Sequence, residues 1–165
     1  MSTTEDWENR VTALWAALDS HEEADFRARI EALADELPKD DPVGLFERAC
    51  ANDSTGLPDK AEPLYRAALK SGLSGYRRRR ALIQLASTLR NLGRAEESVE
   101  LLTAERGRPD ADESVATLDD ALDAFLALAL VDTGREKEAA GLALAALAKH
   151  LPRYNRSLGY YATHL

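Results

Sequence analysis

Two segments of this 165-residue chain are written to one pattern. Leu89-Arg-Asn-Leu-Gly-Arg-Ala-Glu-Glu-Ser-Val-Glu-Leu-Leu102 is followed 41 residues later by Leu130-Val-Asp-Thr-Gly-Arg-Glu-Lys-Glu-Ala-Ala-Gly-Leu-Ala143. A weaker third copy precedes them, with Gly56, Ala61, Tyr65 and Ala68. The three glycines Gly56, Gly93 and Gly134 lie between amphipathic stretches. A small residue stands five positions after each (Ala61, Ser98, Ala139) and an alanine seven positions before each (Ala49, Ala86, Ala127). Glycine reaches the left-handed conformation that closes a helix at little cost. Small side chains let the two helices of a hairpin cross closely. One such hairpin cannot bury both of its faces, whereas three or more stacked together form a continuous core. The pattern therefore predicts stacked helical hairpins.

Composition agrees with an all-α fold. Hydrophobic residues make up 45% and aromatics only 6%. Alternating runs rich in Val, Ile and Thr are absent, which argues against sheet. The formal charge of −8 disfavours general nucleic-acid binding. It is unevenly spread: residues 1–40 carry eleven acids and four bases, and residues 76–108 carry eight arginines and four glutamates. A single cysteine, Cys50, cannot form a disulfide within the chain, which suits a reducing compartment. The start MSTTEDWENR has no basic, apolar leader. No apolar run approaches the ~20 residues of a membrane span, and the longest, residues 124–131, reads as a buried helix face. A cytoplasmic protein is expected. Sixteen arginines against five lysines fit a GC-rich bacterial genome.

The apolar spacing marks out the elements of a single domain over 1–165. Trp7, Val11, Leu14, Trp15 and Leu18 form one helical face, and Phe26, Ile30, Leu33 and Leu37 a second, giving an N-terminal hairpin over 5–37. Ser20 and Glu23 have capping-box spacing between them. Repeat hairpins follow over 42–71, 75–106 and 113–151. Asp41 is the expected cap of the first, with Pro42 at the first helical position, and Ser74 that of the second. Residues 107–112 read as a loop, 113–132 as one helix, and 153–165 as a C-terminal cap containing a short helix.

The quoted residues resemble the tetratricopeptide repeat family, over residues 42–152. Ala61, Tyr65 and Ala68 match that family's second helix best. In the second unit Leu102 and Glu105 stand where an aromatic and an alanine are usual, and the first-helix Trp and Tyr of the family are missing. The resemblance implies a right-handed α-solenoid of about four hairpins plus a C-terminal helix. It also implies a protein–protein interaction module or scaffold that binds an unknown protein or peptide, an acidic one among the candidates, in a concave groove. Carried over by position, the groove would show Phe46, Cys50, Arg80, Ile83, Ser87, Arg90, Asn91, Ala124 and Leu128. The carboxylate clamp of some family members is not expected, because its positions hold Phe46, Cys50, Ala121 and Phe125.

Arg77-Arg-Arg-Arg80 is the most unusual local feature. Four successive helical residues cannot share one face, so solvated arginines paired with acids are expected. The alternative is an anionic-ligand or nucleic-acid site built on them. His21, His150 and His164 are scattered, and no metal-ligand or phosphate-loop spacing occurs. Asp119, Asp120 and Asp123 cluster without a partnered pocket, and Cys50 reads as a small core residue. No catalytic residue, metal, cofactor or membrane contact is expected. A stack has two open ends, so a homodimer through a terminal surface, near Trp7 and Trp15 or near Leu158, Tyr160 and Tyr161, is expected from the two-fold closure common in homo-oligomers.

Overall fold

The computed structural model describes residues Thr3–Leu165, and all regular structure among the described residues is helical. In chain order the α-helices are α1 (Thr3–Ala16), α2 (Glu23–Ala34), α3 (Pro42–Ser54), α4 (Pro58–Lys70), α5 (Gly75–Asn91), α6 (Ala95–Glu105), α7 (Asp119–Asp132), α8 (Glu136–Ala148) and α9 (Asn155–Ala162). The chain gathers into two compact units, one up to Leu73 and one over Ser74–Leu165. The whole net charge belongs to the first: residues 1–73 carry sixteen acids and eight bases, residues 74–165 thirteen of each.

Each of the three repeat hairpins turns in the same way. Gly56, Gly93 and Gly134 have φ of 73°, 77° and 76°. The next residue donates its N–H back over five positions: Leu57 to Asn52 O, Arg94 to Leu89 O and Arg135 to Leu130 O, all at 2.9 Å. This is a helix closed through one left-handed residue, which satisfies carbonyls that would otherwise end unpaired. The flanking small residues Ala49, Ala86, Ala127, Ala61, Ser98 and Ala139 are all buried. The sequence pattern thus maps onto one repeated hairpin geometry.

In the N-terminal unit α1 and α2 pack with α3 around Phe26, Ile30 and Ala51. Both tryptophans hydrogen-bond inward: Trp7 Nε1 donates to Leu33 O (2.8 Å) and Trp15 Nε1 to Glu47 Oε2 (2.7 Å). The Trp15 ring meets Phe26 edge-on at 5.0 Å. Asp41 caps α3 as expected, accepting from Val43 N and Gly44 N. Ser20 does not cap α2. It lies in a 3-10 turn, Leu18–Ser20, and the N-cap position falls on Glu22 with no side-chain bond.

In the C-terminal unit the core gathers Ile83, Ala86, Leu102, Leu122, Leu126 and Leu130 from α5, α6 and α7, with Ala139 of α8. Two ends differ from expectation. Ser74 makes no cap. Instead Asp112 reaches from the 107–112 loop and accepts the N–H of Tyr76 at 3.1 Å. The same carboxylate accepts from Ser114 N and Oγ, which starts a 3-10 helix over Glu113–Leu118 in place of the first turns of the long helix expected from Glu113. These bonds, Ser114 foremost, hold the Asp112 carboxyl below the usual carboxylate range.

The tail folds back as α9 against α8. The approach is close at Gly141, where an added Cβ would sit 2.7 Å from Ala162 O. Alanine is worth up to about 1 kcal/mol over glycine in a helix interior, so Gly141→Ala would stabilise α8 if the site were open. The expected outcome is the reverse: faster amide hydrogen exchange over 155–162, with the exchange of α5 and α6 unchanged. Asp112 gives a second test. Its folded pKa is depressed, so its contribution is present above about pH 4 and is lost as pH falls through its folded value. The Tyr76 amide should lose protection below that pH, and Asp112→Ala should show the loss already at neutral pH.

Candidate functional site

The arginine run at the start of α5 divides between inside and outside. Arg79 is 2% exposed and Glu105, at the end of α6, is 4% exposed. Arg79 Nε donates to Glu105 Oε1 (3.0 Å), its Nη1 to Asp119 Oδ1 (2.6 Å) and its Nη2 to Arg108 O (3.3 Å). Arg78 adds a two-pronged contact to the same Glu105, at 2.7 and 2.9 Å. Glu105 is the residue that stands where the repeat pattern expects alanine, and its carboxylate explains why the bases are there. Bases at a helix N-terminus oppose the helix dipole. Glu105 and Asp112 supply the missing negative charge from outside α5.

Further ion pairs align the neighbouring helices. Arg79–Asp119 joins the N-terminal ends of α5 and α7, and Arg90–Asp132 joins their C-terminal ends. Helices tied start to start and end to end run parallel and side by side. Arg106 Nε donates to Asp123 Oδ1 (2.7 Å), tying α6 to α7. Lys149 Nζ donates to Asp120 Oδ1 (2.6 Å), and His150 Nε2 lies 2.8 Å from Asp120 Oδ2, which ties α8 to α7. The three clustered aspartates therefore each face a different cationic partner. Contact with Lys149 and then His150 lowers the Asp120 pKa, and Asp120 in turn raises that of Lys149. An open cleft of about 430 Å³ lies among Arg79, Arg106, Asp119, Asp123 and Lys149, but its charges are satisfied within the unit.

The nine groove residues fall into two groups. Phe46 and Cys50 are buried in the N-terminal unit, where Phe46 lies 6.3 Å from the Tyr65 ring and the Tyr65 hydroxyl donates to Cys50 Sγ (3.8 Å) and Asp53 Oδ2 (3.2 Å). Burial, first, and then Cys50 and Asp53 push the Tyr65 phenol far above its usual pKa. Ile83 is buried in the core of the C-terminal unit. These three offer no surface to a partner. Arg80, Ser87 and Arg90 of α5 are partly exposed, and Asn91 of α5 with Ala124 and Leu128 of α7 are exposed. Helical spacing also adds Val131, which sequence reasoning placed inside. Residues 124–131 are not a wholly buried face, because Leu128 is 46% and Val131 48% exposed.

Removing Glu105 takes the carboxylate from both Arg78 and Arg79 and leaves buried Arg79 with Asp119 and Arg108 O alone, so the cost approaches the about 3–5 kcal/mol of a broken buried pair. Glu105→Leu alone should show that loss in chemical denaturation. Arg79→Met with Glu105→Leu should recover most of it, since replacing a whole buried pair by apolar residues is close to neutral. Equal instability of the single and double variants would remove the pair from its structural role.

A family model described as tetratrico peptide repeat matches residues 42–165, which extends the resemblance through α9. No curated protein and no solved structure matches the chain. With a helical hairpin closed three times by the same left-handed glycine, and a match over about three quarters of its length, the chain belongs to the tetratricopeptide repeat family.

Proposed function

We infer that the chain is a protein-interaction module, a single array over 1–165 in a reducing, cytoplasmic setting, that binds a partner segment and performs no chemistry of its own. The site is the face shared by the parallel helices α5 and α7. One observation carries this reading. Ala124, Leu128 and Val131 form an exposed apolar stripe on α7, beside a helix whose partly exposed positions include Arg80 and Arg90. The apolar stripe suits a segment that offers apolar residues; Arg90 is already paired with Asp132 and Arg80 also has a partner, so a carboxylate on that segment would join an existing pair and not meet a free charge. The groove is thus drawn from Arg80, Ser87, Arg90, Asn91, Ala124 and Leu128, with Val131 added. An anionic-ligand or nucleic-acid site on the arginine run has no such support, because Arg78 and Arg79 are already engaged by Glu105 and Asp119.

Peptides selected from a displayed random library on the wild-type protein test the reading. Leu128→Glu should weaken their binding about tenfold or more, as loss of a central apolar contact does, with melting unchanged because Leu128 is half exposed. Arg80→Ala with Arg90→Ala should weaken it less and flatten its salt dependence. Peptides that bind Leu128→Glu as tightly as the wild type would place the site elsewhere.

A further inference from the structure

The C-terminal end of the chain carries basic charge without a partner among the described residues, and aromatic rings that stay exposed although Tyr160 stacks on His164 (4.2 Å) and meets Tyr161 edge-on (5.8 Å). In the C-terminal unit, every arginine from Arg77 to Arg135 has a partner. Arg153 and Arg156 have none among the described residues. Beside them stand Tyr154, Tyr160 and Tyr161, exposed by 78%, 61% and 65%. Tyr154 is also the one non-glycine described residue with positive φ, at 65°. A bulky residue in that conformation is strained, and here the strain holds a ring out in water. No acid occurs anywhere in residues 139–165.

The complementary chemistry is present at the other end of the same chain. The turn between α1 and α2 exposes Asp19, Glu22 and Glu23, which have no side-chain partner among the described residues. Leu14, Trp15 and Leu18 are only partly buried next to that turn. One end is therefore apolar and acidic, the other aromatic and basic. Two-fold pairing of the α9 surface with itself would set Arg153 and Arg156 against like charges. Pairing of unlike ends sets arginine against carboxylate and tyrosine against Trp15 and Leu18.

We propose that the α9 surface of one copy docks on the α1–α2 turn of a second copy, so that the chain self-associates head to tail. This contact does not depend on the α5–α7 groove. A head-to-tail contact leaves one free surface at each end, so assembly continues past the dimer unless a ring closes. The three rings expose on the order of 400 Å², about half of one partner's share in a standard interface, so the association is weak and reversible.

Light scattering between about 10 and 500 µM tests it, a range that brackets weak protein–protein affinities. The wild type should rise from 18.1 kDa towards twice that mass and beyond with concentration, and fall back in high salt. Arg153→Glu with Arg156→Glu should be monomeric, and so should Glu22→Arg with Glu23→Arg. A mixture of the two variants restores opposite charges at every contact and should associate again, which also shows that both are folded. Three results would each overturn the proposal: a wild type that stays at 18.1 kDa throughout, association that survives the tail reversal, or two monomeric variants whose mixture remains monomeric.

Discussion

The buried contact between Arg79 and Glu105 is the constraint on which the C-terminal unit is built. An apolar seam of alanine and leucine packs helices tightly but specifies their relative sliding poorly, since one turn resembles the next. A charged pair removed from water has one good geometry and a large penalty for any other. With Asp119 on one side and Arg78 on the other, the pair fixes the start of α5 against the end of α6 and the start of α7. The looser contacts Arg106–Asp123 and Lys149–Asp120 then continue the same alignment towards α8. These outer pairs are exposed on at least one side, and exposed pairs contribute little energy individually. Their value is in orientation.

That division explains how the two kinds of signal in the sequence work together. The glycines and the small residues around them are local instructions: they say where a helix ends and where two helices may touch. Their outcome, φ near 75° and a bond back over five residues, is the same in all three hairpins. The polar contacts are non-local, spanning up to 42 residues in Arg90–Asp132, and they decide which hairpin faces which.

Legibility in the sequence follows the same line. The hairpins, the buried positions around the glycines and the Asp41 cap depend on neighbours within a few residues, and periodicity and spacing suffice to read them. The Ser20 cap fails because the chain passes through a 3-10 turn there and the N-cap position moves to Glu22, and the Ser74 cap fails because a carboxylate takes its place. At α5 the competitor is Asp112, which arrives from 36 residues away and also draws residues 113–118 into a 3-10 helix. Which of the four consecutive arginines faces inward likewise depends on Glu105. The one sequence signal was Glu105 itself, a carboxylate in a position that the repeat reserves for a small residue. Counting from the glycines points Phe46, Cys50 and Ile83 into the groove, because it finds the turn of the helix but not how its neighbours cover it, and all three are buried.

The same reasoning bears on why the exposed apolar residues all lie in one unit. Among the described residues, each large hydrophobic that is exposed, from Tyr76 to Leu165, belongs to the C-terminal unit. That unit carries no net charge, whereas the N-terminal one carries all of the −8. Net charge keeps a surface solvated and separates like molecules, and a neutral surface lacks that protection. Exposed leucine and tyrosine on a neutral unit are therefore a liability unless contacts cover them part of the time. In the C-terminal unit the arginines up to Arg135 are held by carboxylates of the chain or by other partners, and among its arginines only Arg153 and Arg156 have no partner among the described residues. Where apolar surface supplies the drive to associate, the few unpaired charges beside it determine what it associates with.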